Sequence, residues 1–304
     1  MMIQLSPGAQ ARLSSLPVIG RARGWRLYGA DGKRYLDLWA DGGRSIAGRR
    51  AGASGRVAKE SIDRGLDAVF PSFWEKRLKK AVLAWIPGYS SLRFFASETE
   101  ALLTLAAAEG DFAARIGAGA GLNDALDAFA ANIRFESPFG KYRRDFGADP
   151  AGRAFSGRLA IAILPLAQGW SFGVVLGKGP DDAETLTRAG QVPGEATLPR
   201  REDFSASVPA IKLATATRAL ADFRIFEAGW DERRWSEIDP YIAGIFMRSG
   251  PWLYPVYPES NHGRVFSACL AKGIVISPEY SEPSLVPGDF DAGEVAPLLS
   301  IKDI

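Results

Sequence analysis

Two stretches of the chain carry residues whose types and spacing could do chemistry. In the first, Leu92-Arg93-Phe94-Phe95-Ala96 reads as a strand that runs through Ser97-Glu98-Thr99-Glu100 into a helix rich in alanine and leucine. Ser97 with Glu100 three residues on is a capping box, in which each side chain satisfies a backbone N–H that the first helical turn leaves free. A strand, a short turn and a helix N-terminus form a ready-made anion site. The second stretch is Gly157 to Gly179. Leu159, Ile161 and Ile163 alternate with small residues up to Pro165, which reads as a short buried strand. Phe172 to Leu176 is apolar on both sides of its pleat and suits a strand covered on both faces. The loop Leu166 to Ser171, with Gly169 at its centre, joins the two. Lys178 follows the second strand in a G-K-G context. Lys212, at the start of a helix after Pro209, is the other amine considered; both also read as plain surface lysines.

Composition removes several chemistries. With one cysteine, Cys269, and one histidine, His262, no disulfide within the chain and no zinc site of the usual Cys/His type is possible. A serine–histidine–acid triad would have to use His262, and no G-x-S-x-G elbow supplies the serine. In Ser260-Asn261-His262-Gly263 that histidine reads as a capping-region or surface residue. The glycine- and arginine-rich segment Gly42 to Gly55 has neither the P-loop spacing nor the dinucleotide fingerprint and reads as a surface loop, with anion binding as the alternative. Lys141 to Arg144 could contact an acidic partner but reads first as a solvated loop. A formal net charge of +2 over 304 residues is too small to imply nucleic acid or an anionic membrane. The start M-M-I-Q-L-S-P-G-A-Q lacks a signal-peptide pattern and no run of eighteen apolar residues occurs, so a cytoplasmic protein with no membrane partner is expected.

The elements that must position these residues follow from periodicity. Gly24-Trp25-Arg26-Leu27-Tyr28 and Arg34-Tyr35-Leu36-Asp37-Leu38-Trp39 flank an Asp31-Gly32 pair, a strong hairpin signal. Helices are predicted at Arg56 to Phe70 and at Phe73 to Ile86, the latter with Trp74, Leu78, Val82 and Trp85 on one face. An amphipathic helix is predicted at about Asn123 to Ile133, and Pro240 should break a helix from Glu232 to Met247. Trp252, Tyr254 and Tyr257 form an aromatic strip that reads as core or dimer contact, or as the lining of a groove.

In this order the motifs resemble class III aminotransferases, the pyridoxal-phosphate enzymes of fold type I. Gly24 to Asp37 is similar to the family's G-x-x-L-x-D-x-D-G-x-x-Y-L-D. Ser97-Glu98-Thr99-Glu100-Ala101 resembles its S-G-T-E-A, which holds the cofactor phosphate. Asp203 to Pro209, followed by an alanine-rich helix, looks like its T-F-x-G-N-P, and Phe266 to Pro278 resembles the helix and strand that close the small domain. By this resemblance Ser97, Thr99 and Ser205 are the cofactor-binding positions.

The departures from the pattern bear on activity. Gly173-Val174-Val175-Leu176-Gly177 looks like the family's G-A-V-x-G strand, and reading back from it places the Schiff-base lysine on Leu164, which has no amine to form an aldimine. Glu98 replaces a glycine of the phosphate cup, and Asp203 stands where the family has a threonine. Like charges about 4 Å apart cost roughly 1 kcal/mol in water and more when partly buried. Between Gly110 and Gly157 no D-E-V-like strand carries the aspartate that would protonate the ring nitrogen. Val286 to Ile301 contains no arginine for a substrate carboxylate.

The expectation is therefore an α/β protein of fold type I aminotransferase-like architecture. It has an N-terminal part of the small domain at 1–55, a truncated large domain with a mainly parallel sheet at 56–229, and a C-terminal small domain at 230–304. The resemblance implies a degenerate member with no catalytic lysine and no cofactor, acting by binding a small molecule or a protein. A homodimer, or pairing with an active aminotransferase subunit, is the expected assembly. The alternative is an active aminotransferase or aminomutase that uses Lys178 and pyridoxal phosphate.

Overall fold

The computed structural model describes residues 5–49, 52–108, 134–140, 159–179, 182 and 208–301. The chain divides into two compact units, one formed by residues 1–3, 54–137 and 152–221, the other by 4–53, 138–151 and 222–304. The described residues begin in the second unit. Helix α1 (Pro7–Ser14) opens with Pro7 in its first turn and with the Ser6 hydroxyl accepting the Ala9 N–H at 3.1 Å, the expected chemistry of a helix start. Strands β1 (Ile19–Arg23), β2 (Arg26–Gly29) and β3 (Arg34–Asp37) form an antiparallel meander. The Asp31-Gly32 hairpin is present. Gly32 takes a φ of +78°, and Asp31 accepts both the Lys33 N–H at 3.1 Å and the Tyr35 hydroxyl at 2.6 Å.

Strand β3 stops at Asp37 rather than at Trp39. The Asp37 carboxylate, nearly inaccessible to solvent, accepts the N–H groups of Trp39 and Ala40 and pairs with Arg49 at 2.9 Å. The chain then turns left-handed through Ala40, Asp41, Gly42 and Gly43, with φ of 46°, 58°, 65° and 84°. The glycine-rich segment is consequently not the surface loop expected from its composition. Ser45 and Ile46 are buried, and a Cβ on Gly43 would meet the Trp252 ring at 2.6 Å.

The first unit follows. Helix α2 (Ser54–Asp63) is shorter than the helix predicted to Phe70, because the Leu66 N–H turns back onto the Ser61 carbonyl and closes it. Helix α3 (Phe73–Trp85) is capped by Ser72 and ends one residue before the predicted end. Its buried face holds Leu78 and Val82 as expected, together with Glu75, which pairs with Lys79 at 3.3 Å. Strand β4 (Ser91–Phe95), helix α4 (Glu98–Ala108), and strands β5 (Arg134–Glu136), β6 (Leu159–Ala162) and β7 (Gly173–Gly177) form the core of the unit. The sheet order is β4-β7-β6-β5, with β5 parallel to β6 and β7 antiparallel to both its neighbours. All five residues of β7 are buried, as expected of a strand covered on both faces. Phe95, Ala101, Leu102, Leu105, Ile161, Ile163 and Val175 make one apolar cluster between α4 and the sheet.

Helix α5 (Ala210–Ala228) belongs to the first unit up to Ala221 and to the second beyond it. The break expected at Pro240 is present: the stretch from Glu232 forms α6 (Glu232–Trp235), a 3-10 turn, and α7 (Asp239–Ile242) with Pro240 in its first turn, and Met247 lies beyond them in strand β8 (Phe246–Ser249). A proline fits a first helical turn but cannot continue the preceding one. Strand β9 (Trp252–Pro255), helix α8 (His262–Ala271), strands β10 (Ile274–Val275) and β11 (Ser284–Leu285) and helix α9 (Ala292–Val295) complete the unit. Strand β10 adds to β3 in parallel, and β11, β9 and β8 form a three-stranded sheet. Phe139, buried at a φ of 51°, packs edge-on against Phe223, Trp230 and Trp235 at 5.4–5.6 Å, and its carbonyl accepts the Trp252 indole N–H. Among the described residues no helix is long and apolar enough to cross a membrane.

Candidate functional site

In the first unit, the strand register decides which residues can meet. Phe95 is opposite Gly173, Ser91 and Leu159 are both opposite Gly177, and Glu136 is opposite Ala162. The carboxyl ends of β4, β5 and β6 therefore share one edge with the start of β7. In open α/β sheets this edge is where ligands bind. Ser97 lies there, at the N-cap of α4. Its hydroxyl accepts the Glu100 N–H at 3.1 Å, and the Glu100 carboxylate accepts the Ala96 N–H at 2.9 Å. The reciprocal cap read from the sequence is present, with the glutamate reaching one residue further back. The family pattern has a glutamate here too, so this contact does not separate a working site from a degenerate one. Thr99 is exposed, and its hydroxyl makes no hydrogen bond among the described residues; Glu98 is half-buried in the first turn. Its φ is not left-handed, so the turn takes a side chain where the family pattern has glycine.

The start of β7 closes tightly on that turn. A Cβ on Gly173 would stand 2.5 Å from the Ser97 carbonyl oxygen and 2.6 Å from the Ala101 Cβ, so only glycine permits this approach. Leu164 follows β6 at the same edge, with 6% of its surface exposed, and its carbonyl accepts the Leu166 N–H at 2.8 Å. The loop after it contains a 3-10 turn, Gln168–Trp170. A second lysine position, Lys178, lies at the other edge, exposed beyond Gly177, with its carbonyl accepting the Ser90 hydroxyl. Five residues at about 3.4 Å each put it roughly 17 Å along the strand direction from Gly173. Ser97 and Lys178 are thus not brought together. Ser205, Asp203, the helix predicted at 123–133 and the run Lys141 to Arg144 lie outside the described residues.

Two groups at this edge were not read from the sequence as part of it. Within the stretch from Gly110 to Gly157, where no D-E-V-like strand is visible in the sequence, β5 (R-F-E) ends in Glu136, whose carboxylate accepts the Tyr89 hydroxyl at 2.9 Å and whose carbonyl accepts the Ile163 N–H at 2.7 Å. Three residues without alternation carry too little signal to mark a strand. The second group is the Lys212 ammonium, which donates to the Ser171 carbonyl at 3.1 Å, two residues before Gly173. The signal for that contact spans 41 residues of sequence.

In the second unit His262 opens helix α8, the helix start expected from the sequence, but it is buried rather than at the surface. Its Nε2–H donates to the Ser277 carbonyl at 3.1 Å, which leaves Nδ1 to accept the Tyr257 hydroxyl at 3.0 Å. Both nitrogens are satisfied by a neutral ring. Burial, with the Arg12 guanidinium nearby, holds its pKa down at about 4. Trp252 and Tyr254 are core residues, and Tyr257 is half-buried against the His262 ring.

No family model matches the chain. Two proteins described only as uncharacterized are similar over most of it. One, from Borreliella burgdorferi, is 24% identical over 93% of this chain and 89% of its own length. The other, from Treponema pallidum, is 28% identical over 88% of each. A glutamate-1-semialdehyde 2,1-aminomutase of Heliobacterium modesticaldum is 35% identical, but over only 28% of this chain and 20% of its own. Among solved structures, a glutamate-1-semialdehyde aminomutase of Pseudomonas aeruginosa matches with a TM-score of 0.64 and 13% identity, covering 94% of this chain and 86% of that one. An omega-transaminase of Sphaerobacter thermophilus matches with a TM-score of 0.61 and 14% identity, covering 94% and 90%. The fold is that of the fold type I aminotransferases and aminomutases.

Proposed function

We propose that this chain uses an aminotransferase fold to bind rather than to transaminate, because it lacks the lysine that would hold pyridoxal phosphate covalently. The observation that carries this reading is Leu164, a buried hydrocarbon side chain at the carboxyl edge of β6. The strand register supports it, since Lys178, the alternative amine, belongs to the edge away from Ser97. Glu98 adds a carboxylate to the turn where a phosphate dianion would sit, and like charges at that range oppose each other by roughly 1 kcal/mol or more. The positions that match the family's Schiff-base lysine and phosphate cup therefore do not fit a covalently held pyridoxal phosphate, and the one amine at this edge among the described residues, Lys212, comes from a different segment. Glu136 does supply an acid on a strand of this sheet, so the loss falls on the amine and the cup. The assembly proposed is a dimer, either of two copies or with an active aminotransferase subunit, and the setting proposed is the cytoplasm.

Incubation of the purified chain with pyridoxal phosphate, borohydride reduction and peptide mapping test the reading. The expected result is no lysine labelled stoichiometrically and no aldimine absorption band. A stoichiometric label on Lys178 or Lys212, with a band that an amino donor bleaches, would remove it.

A further inference from the structure

Lys212 is oddly placed for an ordinary surface lysine. It sits in the first turn of α5, a turn with no acidic residue, where the helix dipole disfavours a cation by about 0.3–1 kcal/mol. It is half-buried, and its ammonium has one hydrogen-bond partner among the described residues, the Ser171 carbonyl at 3.1 Å, with no carboxylate in reach. An ammonium has three donors, and a partly desolvated one paired only with a carbonyl dipole is under-compensated. A lysine that served only to cover apolar surface would carry its head group out to water. This one instead turns it to the loop that enters β7, two residues from Gly173, whose backbone stands against the Ser97 turn. The amine thus lies at the carboxyl edge of the sheet, where α/β sheets take ligands.

We propose that Lys212 is the cation of a site for a small-molecule oxyanion, a phosphate or a carboxylate, bound non-covalently at the carboxyl edge of the β4-β7-β6-β5 sheet. The proposal rests on the reading of this edge as a binding rather than a catalytic site. The ligand's negative charge supplies a partner that no carboxylate among the described residues provides, and Ser171 fixes the direction of the ammonium. Lys178, at the other edge, takes no part.

The test is the thermal midpoint of the full chain titrated with inorganic phosphate, and in a second arm with succinate, at ionic strength held constant with sodium chloride. The expected result is a saturable rise with at least one anion, about 3 °C at tenfold excess over Kd. The arm that responds at lower concentration identifies the class. Lys178→Gln should keep the rise, Lys212→Gln should abolish it, and Lys212→Arg should retain it. Lys212→Met, which keeps the apolar stem, is the second variant without charge. An equal rise in the native chain and in a folded Lys212→Gln or Lys212→Met variant overturns the proposal, as does the absence of a saturable rise with both anions. A borohydride-trapped pyridoxal label on Lys212 would instead sink the non-catalytic reading while leaving the phosphate and succinate titrations to stand or fall by themselves.

Discussion

Lowering the pH should destabilise the chain through its one histidine, by an amount that can be worked from the geometry. His262 is neutral in the folded protein, donating from Nε2 to Ser277 and accepting at Nδ1 from Tyr257. Protonation would set an Nδ1–H against the Tyr257 hydroxyl hydrogen and charge a ring with little solvent. The folded pKa is about 4 against an ordinary 6.5. Between those values the unfolded chain binds more protons than the folded one, so stability is fully present above pH 6.5 and falls as pH drops toward 4. At about 1.4 kcal/mol per unit, the loss is about 2 kcal/mol at pH 5 and about 3 kcal/mol at pH 4 relative to pH 8. Because the chain has a single histidine, one imidazole C2–H resonance reports it without assignment. That resonance should not move between pH 8 and 5.5. Urea unfolding at pH 8 and pH 5 should show a smaller drop in His262→Gln than in the native chain by about 2 kcal/mol, the carboxylates being common to both. An imidazole midpoint at or above 6, or equal drops in the two proteins, would refute the argument.

Two shorter expectations accompany it. Gly173→Ala should cost about 1–3 kcal/mol in denaturant unfolding, since its Cβ would overlap the Ser97 carbonyl and Ala101, and main-chain atoms there must shift. For the proposed dimer, Val69, Phe70 and Phe73 are 49%, 36% and 54% exposed within five residues of sequence, and they are the apolar side chains chosen for the test. Light scattering should find two copies in the native chain and one in a Phe70→Asp, Phe73→Asp variant, and a native monomer would rule out the self-paired form.

Much of the first unit could be read from the sequence because its signals are local. The spacing of Leu78 and Val82 gave α3, the Ser97 and Glu100 pair gave the start of α4, and the apolar run after Phe172 gave β7. The failures share a cause. Strand β1 has exposed and half-buried residues only, so no hydrophobic alternation marks it, and β5 and β8 are too short for a period to emerge. The burial of His262 depends on Tyr257 and Ser277 converging on it, and a neutral ring with both nitrogens satisfied leaves no mark in the adjacent residues. Glu136 and Lys212 joined the edge only once strand pairing was known, since register is a property of pairs of segments.

Phe139 fixes how the polypeptide could be divided. It is reached from β5 of the first unit, yet its aromatic neighbours, Phe223, Trp230 and Trp235, come from residues beyond 221. A gene fragment spanning 54–221 would retain all four strands of the sheet and still carry this ring away from its companions, leaving a bare hydrophobic knob on the excised piece. Because residues 4–53, 138–151 and 222–304 make one unit, no single cut separates the two units, and a split that followed them would need a rearranged gene order.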